Sequence, residues 1–402
     1  MKNTNYDVIV VGAGPVGSTA ARYAAINGAS VLMVEDHASV GSPVGCTGLL
    51  STRAVAECDV RPSDRFVLNS VRGAFVHPMN GESLPIDGKE KKAYVVSRKN
   101  FDRTLASMAL ESGVELKLNT RATDLKYVNG VQKLSVIENG QHREIKTGVV
   151  IGADGVRSRI ARMAGLGSVK KILPGVQIEA PYNSPDTDFV ELFVGSQAPG
   201  FFGWAVPVDD KISRIGLAID SNTDESVLTC LDRMLKNNPH IASRHRGGHL
   251  DLVTGGIPIG PLEKTYAEGT LIVGDAAGQV KPTSGGGVYT GAACAKIAGE
   301  LAAKAALEDD NSAQRLSEYD RRWREKLGRE LAIGMNIHNF IAGLEDEKMD
   351  ELIASMNKES ILETITEYGD MDHPSIVVKK LLRPSNSRHL LGVFSAFAKA
   401  VL

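Results

Sequence analysis

Apolar residues along this chain fall into two patterns. The first is short and continuous: residues 8–11, 31–34, 144–151 and 270–273 carry runs of Val, Ile, Leu and Met that stop at glycine or acid. Such runs read as strands buried on both faces of a parallel sheet. The second pattern alternates. Residues 176–180, 189–195, 201–208 and 213–219 are separated by Pro, Asn and Asp clusters with no glycine-loop helix between them, which predicts an antiparallel sheet. Further short strands are predicted within 66–86, around a turn at 78–81, and at 94–96, 114–118 and 131–137, with hairpin turns at Asn129-Gly130 and Asn139-Gly140. Helices are predicted after Ser97, where Phe101, Leu105, Met108 and Ala109 share a face and Gly113 ends it, and over a long Ala-rich stretch from Val288. Beyond about residue 329 the chain reads as helical throughout. Its end, 390–402, is apolar nearly all round and follows Lys379, Lys380, Arg383 and Arg388.

These elements predict an α/β protein: a Rossmann-like dinucleotide-binding domain assembled from 1–72, 95–167 and 262–330, an antiparallel-sheet substrate domain from 73–94 and 168–261, and a C-terminal helical region over 331–402. The first run leads directly into Gly12-Ala13-Gly14-Pro15-Val16-Gly17, a small-residue helix follows, Gly28 stops it, and the next strand ends in Glu35. Strand, G-x-G-x-x-G, helix, strand and acid together form the βαβ dinucleotide fingerprint. Gly12 permits the tight turn, Gly14 lets backbone approach a pyrophosphate, and Gly17 lets helix and strand pack. The helix N-terminus offers unpaired N–H groups to the phosphates. Glu35 is placed to accept from ribose hydroxyls.

Composition narrows the class. A formal net charge of −2 over 402 residues provides no global field to attract nucleic acid, and the charged fraction of 23% is that of a folded protein. The four cysteines, Cys46, Cys58, Cys230 and Cys294, form no CxxC, so neither a structural zinc, an iron–sulfur cluster nor a disulfide framework is expected. The N-terminus enters a strand without the cleavable apolar region of a signal peptide, which points to the cytoplasm.

Other stretches also carry candidate chemistry. Residues 41–50, a loop of Gly and small residues, hold Cys46 between Gly45 and Gly48; the thiol is either an inert packed group or a functional one. Arg98, in the first turn of a helix, opposes the dipole preference for acids there, so it either meets a phosphate or ribose or is simply solvated. The strand ending in Gly152-Ala153-Asp154-Gly155 puts Asp154 where it can meet a cofactor, cap the next helix, or both. Gly274-Asp275-Ala276-Ala277-Gly278 ends another buried strand, with Asp275 facing a ribityl or ribose hydroxyl. Gly285-Gly286-Gly287 before Val288 supplies backbone donors for the edge of an isoalloxazine. In 199–207, Trp204 and its aromatic neighbours are either core or the wall of an apolar cavity.

G-x-G-x-x-G with Glu35, Ala153-Asp154-Gly155-x-x-Ser158, and Gly274-Asp275-Ala276-Ala277-Gly278 with the later glycines, in that order over most of the chain, resemble the motifs of FAD-dependent proteins of the p-hydroxybenzoate hydroxylase fold. Within that group, Cys46-x-Gly48 and the strand Pro199-x-x-Phe202-x-Trp204-x-Val206-Pro207 resemble the geranylgeranyl reductase family, in particular archaeal members that saturate isoprenoid chains of membrane ether lipids. Phe202 stands where that family has tyrosine and Val206 where it has phenylalanine, so no hydroxyl is present there to give a proton. The resemblance implies FAD contacts from Glu35, Arg98, Ala122, Asp275, Gly287 and Val288. Pro15, Val16 and the loop Cys46, Thr47, Gly48, Leu49 then lie beside the cofactor. It implies hydride delivery from reduced flavin to an isolated alkene, with Phe202 and Trp204 at the substrate and Cys46, or a water, as proton source.

The lipid substrate implies peripheral contact with the inner face of the cell membrane, and the apolar C-terminal helix is the candidate contact. One dinucleotide fingerprint leaves the electron donor open between a ferredoxin and NAD(P)H in transit. Two other readings remain: an aromatic monooxygenase of the same fold, and an electron-transfer flavoprotein reducing quinone, the latter disfavoured in its iron–sulfur form by the scattered cysteines.

Overall fold

The computed structural model describes residues 5–381. Its first sheet is ordered Tyr266–Ala267, Thr270–Ile272, Gln141–Gly152, Tyr6–Val11, Val31–Val34, Glu115–Lys117, parallel except at the first pair. Val8, Ile9 and Val10 are fully buried, because helices cover one face and a second layer covers the other; hence the continuous apolar run. Helix Pro15–Ile26 starts with proline, whose missing N–H costs nothing at that position. It packs on the Ala-rich helix Val288–Leu307 at close range: a Cβ at Gly299 would overlap the carbonyl oxygen of Ala20 and sit 2.9 Å from the Ala24 nitrogen.

Gln141–Gly152 serves two ladders. Its exposed first half pairs antiparallel with Val131–Glu138, and its buried second half runs parallel to Tyr6–Val11. Val131–Glu138 pairs in turn with Thr120–Val128, a strand the hydrophobic pattern does not predict.

The second sheet is ordered Asp251–Ile259, Lys171–Pro181, Ile212–Ala218, Gly203–Pro207, Phe189–Phe193, Gly73–His77, Leu84–Asp87. All its pairs are antiparallel but one: Phe189–Phe193 runs parallel to Gly73–His77, because that hairpin enters from an earlier part of the chain. Alternation divides the sheet into two faces. Val176, Ile178, Phe193, Ala205, Ile215 and Leu217 pack against helix Val227–Asn237. Gln177, Val190, Leu192, Trp204 and Val206 point the other way, toward the glycine loop of the first sheet.

Helices Arg329–Ala342, Asp346–Met356, Glu359–Tyr368 and Pro374–Leu381 close one end, joined by Ile337, Leu352, Ile361 and Val378. The connection between the last two is tied down. Asp372 receives Lys281 at 2.5 Å and the Ser51 hydroxyl at 2.7 Å, and Asp370 receives Arg53 at 2.6 Å. The apolar segment 390–402 lies outside the described residues.

Candidate flavin and substrate site

The glycine loop has the shape the fingerprint requires. Gly12 has φ +105°, and a Cβ there would collide with the Ala153 carbonyl. A Cβ at Gly17 would overlap the carbonyl oxygen of Gly12 and lie 2.9 Å from its carbon, whereas a Cβ at Gly14 would meet nothing within 4 Å. Gly12 and Gly17 therefore hold strand to helix, and Gly14 faces open space where a phosphate can approach the helix N-terminus. Glu35 closes the loop from the next strand: Oε2 accepts from the Ala13 N–H at 2.9 Å, and Oε1 lies 2.6 Å from His37 Nδ1.

Below the loop opens a cavity of about 900 Å³. Gly14, Pro15, Val16 and Gly17 line one end, with Cys46, Thr47 and Leu49; Arg98 and Asp275 join them, as do Gly286, Gly287 and Val288. Gly12, Glu35, Gly48, Ala122, Asp154 and Gly274 do not reach it. Of these, Gly12, Gly48 and Gly274 shape the loops from behind; a Cβ at Gly274 would press on Val16, 2.9 Å away. Ala122 is buried in the core with Val34 and Val136. Asp154 acts as a cap: it accepts from the Ser158 hydroxyl at 2.6 Å and from the Arg159 and Ile160 N–H groups.

Arg98 is not a solvated arginine. It is half-buried, its side chain 16% exposed, and its Nε and Nη2 donate to the two oxygens of Asp102 at 2.9 and 3.1 Å, one helical turn on. Burial works against the charge, but Asp102 and the adjacent Cys46 raise its pKa above the ordinary arginine value. Asp275 is the counterpart. Burial raises its pKa, with Arg98 opposing, and its carboxylate has no hydrogen-bond donor among the described residues. Gly287 lies against it: an added Cβ would be 2.5 Å from Oδ1. A cavity-lining carboxylate without a donor suits a ligand rich in hydroxyls, and the open face at Gly14 suits a pyrophosphate, so these residues fit FAD.

Cys46 is half-buried, whereas Cys58, Cys230 and Cys294 are buried, and burial pushes the Cys58 thiol up to about 12. The Cys46 Sγ accepts the Gly48 N–H at 3.3 Å. Away from this end the walls turn apolar. Val190, Leu192, Phe202, Trp204 and Val206 come from the second sheet and its approach, and Ile337, Ile341 and Val377 from the C-terminal helices. Phe202 and Trp204 meet edge to face with centroids 6.1 Å apart. Thus the aromatic strand is a cavity wall, and its alternate residue Ala205 belongs to the core beneath. Even His338, which lines this part, carries no charge near neutrality: burial, with Lys171 nearby, lowers its pKa to about 4.

Two functional residues escaped the sequence reading, Gln177 and Arg214. Both reach from the second sheet to the Cys46 loop. Arg214 Nη1 donates to the carbonyls of Thr47 at 2.6 Å and Val96 at 3.0 Å, and its Nε pairs with Glu179 at 3.0 Å.

Residues 5–330 match the family described as FAD binding domain. Over 368 residues the chain is 33% identical to a digeranylgeranylglycerophospholipid reductase of Methanothrix thermoacetophila, an alignment covering 88% of this chain and 92% of the relative. A digeranylgeranylglycerophospholipid reductase 2 of Methanothermobacter thermautotrophicus is 34% identical over 91% of this chain and 97% of its own length. The chain belongs to the digeranylgeranylglycerophospholipid reductase family. A crystal structure of a geranylgeranyl bacteriochlorophyll reductase-like protein from Thermoplasma acidophilum superposes with a TM-score of 0.83 at 29% identity, covering 94% of this chain and 98% of that one. FAD is therefore the cofactor of this reductase-family chain, and the fold is the flavoprotein fold the motifs implied.

Proposed function

We propose that this protein is an FAD-dependent reductase that saturates isolated C=C bonds in the geranylgeranyl chains of glycerophospholipid ether lipids. The observation that carries the reading is one continuous cavity, whose one end is built from the glycine loops and whose remaining wall is mostly apolar, with Arg72, Lys92, Thr366 and Asp370 also on its lining. Reduced FAD supplies the hydride when bound. The chain's own residues do the rest. Trp204, Phe202 and the aliphatic wall hold the tail and exclude water, which an isolated alkene requires because no carbonyl is present to stabilise charge. Cys46 Sγ, beside the Arg98 guanidinium, carries the proton for the other carbon. Neither Phe202 nor Val206 has a hydroxyl that could take this role.

Burial decides the substrate class. At ~0.8 kcal/mol per CH₂, a tail of about 20 carbons gains of order 10–16 kcal/mol over water, against roughly 1 kcal/mol for each polar contact. Anaerobic turnover of the unsaturated lipid tests the reading. Mass spectrometry should show two hydrogens gained per double bond; silence without oxygen, with an oxygen atom added in air, would establish a monooxygenase instead.

The same burial energy opposes release of the tail into water, so the lipid exchanges with the bilayer at the inner face of the cell membrane. The proposed contact is peripheral; among the described residues no helix is long and apolar enough to cross a membrane. Removing residues 382–402 is expected to lower co-flotation with anionic liposomes severalfold while flavin content holds; unchanged flotation would exclude that segment as the contact. With one dinucleotide fingerprint in the chain, electrons come from a donor that docks transiently, a ferredoxin or NAD(P)H.

A further inference from the structure

We propose that Gln177 is a positioning residue for this reaction: it fixes the Cys46–Thr47 turn on the flavin side to Trp204 on the substrate side. The role in catalysis rests on the reductase reading above; the geometry does not. Gln177, Gly216 and Trp204 sit in register across three neighbouring strands, on one face of the sheet. Residues two strands apart are about 9–10 Å from each other and normally have a side chain between them. Here the middle position is glycine. A Cβ at Gly216 would overlap that of Gln177 and sit 2.5 Å from the Val176 carbonyl, so its absence lets the amide reach the indole. The Trp204 Nε1–H donates to Gln177 Oε1 at 3.2 Å, and the Thr47 hydroxyl donates to the same oxygen at 2.8 Å.

An indole N–H can only donate, so its partner must be the amide oxygen. That fixes the orientation of the whole group and turns the NH₂ toward the Cys46 carbonyl, 3.4 Å away. Both acceptor sites of the oxygen are then used and a donor faces the loop. Gln177 is itself buried, while its partners Cys46, Thr47 and Trp204 are half-buried on the cavity wall. Arg214 anchors the same turn from the next strand, at Thr47 and Val96, but touches neither Cys46 nor Trp204 by a hydrogen bond. Gln177 alone among the described residues joins the turn to the substrate wall by hydrogen bonds on both sides.

The test uses the FAD-loaded enzyme and two readouts that need no lipid. Cys46 is the cysteine open to alkylation, the other three being buried, and Trp204 is one of two tryptophans, the other, Trp323, being buried and bonded to Thr265 at 2.9 Å. Q177L should raise the Cys46 alkylation rate by roughly tenfold, the scale of one buried hydrogen bond, and shift the Trp204 emission. T47V should raise the rate less, and the double variant T47V/Q177L should be no faster than Q177L, since both act through one amide. On lipid, kcat should fall with KM little changed. Wild-type alkylation and emission in Q177L would overturn the proposal. If Q177L does not fold, Q177E retains the acceptor for Thr47 and Trp204 but loses the donor to Cys46: faster alkylation with unshifted emission supports the role, and unchanged alkylation overturns it. A coupled response in a protein that reduces no lipid would overturn the substrate reading and leave the tie from loop to indole standing.

Discussion

Gly17→Ala is expected to yield a protein without flavin colour. The added methyl would overlap the Gly12 carbonyl oxygen and approach the Ala153 side chain at 3.3 Å. Neither neighbour can yield. Gly12 continues a strand whose residues 8–10 are fully buried, and Ala153 ends the adjacent strand. The helix Pro15–Ile26 must therefore move outward, against Val288–Leu307, where Gly299 already touches Ala20. Overpacking of this kind costs about 1–3 kcal/mol of stability, and the displaced helix N-terminus no longer meets the pyrophosphate. Gly14→Ala is the informative contrast. Its methyl meets nothing in the protein, so melting temperature should match the wild type, while the space it fills belongs to the phosphates. Flavin absorbance and thermal melting of both variants check this. A Gly14→Ala protein as yellow as the wild type would mean that the fingerprint does not cradle the cofactor.

The glycine loop was legible because its geometry depends on residues that lack a Cβ at fixed spacing, and no other residue type substitutes for them. The Arg98 alternative could also have been resolved from sequence: Asp102 stands four residues on, the spacing that places two side chains together on a helix. Gln177 was hidden for the opposite reason. In 175–181 the alternation of Val176, Ile178 and Ala180 with Gln177 and Glu179 reads as a sheet with one solvated face, yet that face closes over the cavity. Polarity marks what a side chain can bond to and does not say whether its partner is water. Thr120–Val128 escaped because its inward residues are Thr120, Ala122 and Leu125, and a register shift opposite Ser135 and Val136 breaks the period. The ties from Asp370 and Asp372 to Arg53 and Lys281 join residues too distant in sequence for any local pattern to show them.

A bulky residue at Ala74 is expected to separate long substrates from short ones. Ala74 pairs with Val190 across the parallel register, and both line the cavity. From Arg214, which holds the Cys46 loop, to Ala74 the sheet crosses three further strands by way of Val206 and Val190. At 4.7–4.9 Å per strand that is about 14–15 Å, so Ala74 stands well away from the flavin end, where only the remote part of an extended tail arrives. Ala74→Trp would fill this part and leave the Gly14, Arg98 and Asp275 end untouched. Flavin content should therefore hold. A long tail forced to withdraw about four CH₂ groups loses about 3 kcal/mol, roughly two orders of magnitude in kcat/KM, whereas a geranyl chain that never reaches Ala74 should lose almost nothing. Competition between the two chain lengths, followed by mass spectrometry of the products, reads the ratio directly. Equal losses for both would place the tail elsewhere, because a plug at Ala74 can discriminate only against what extends that far.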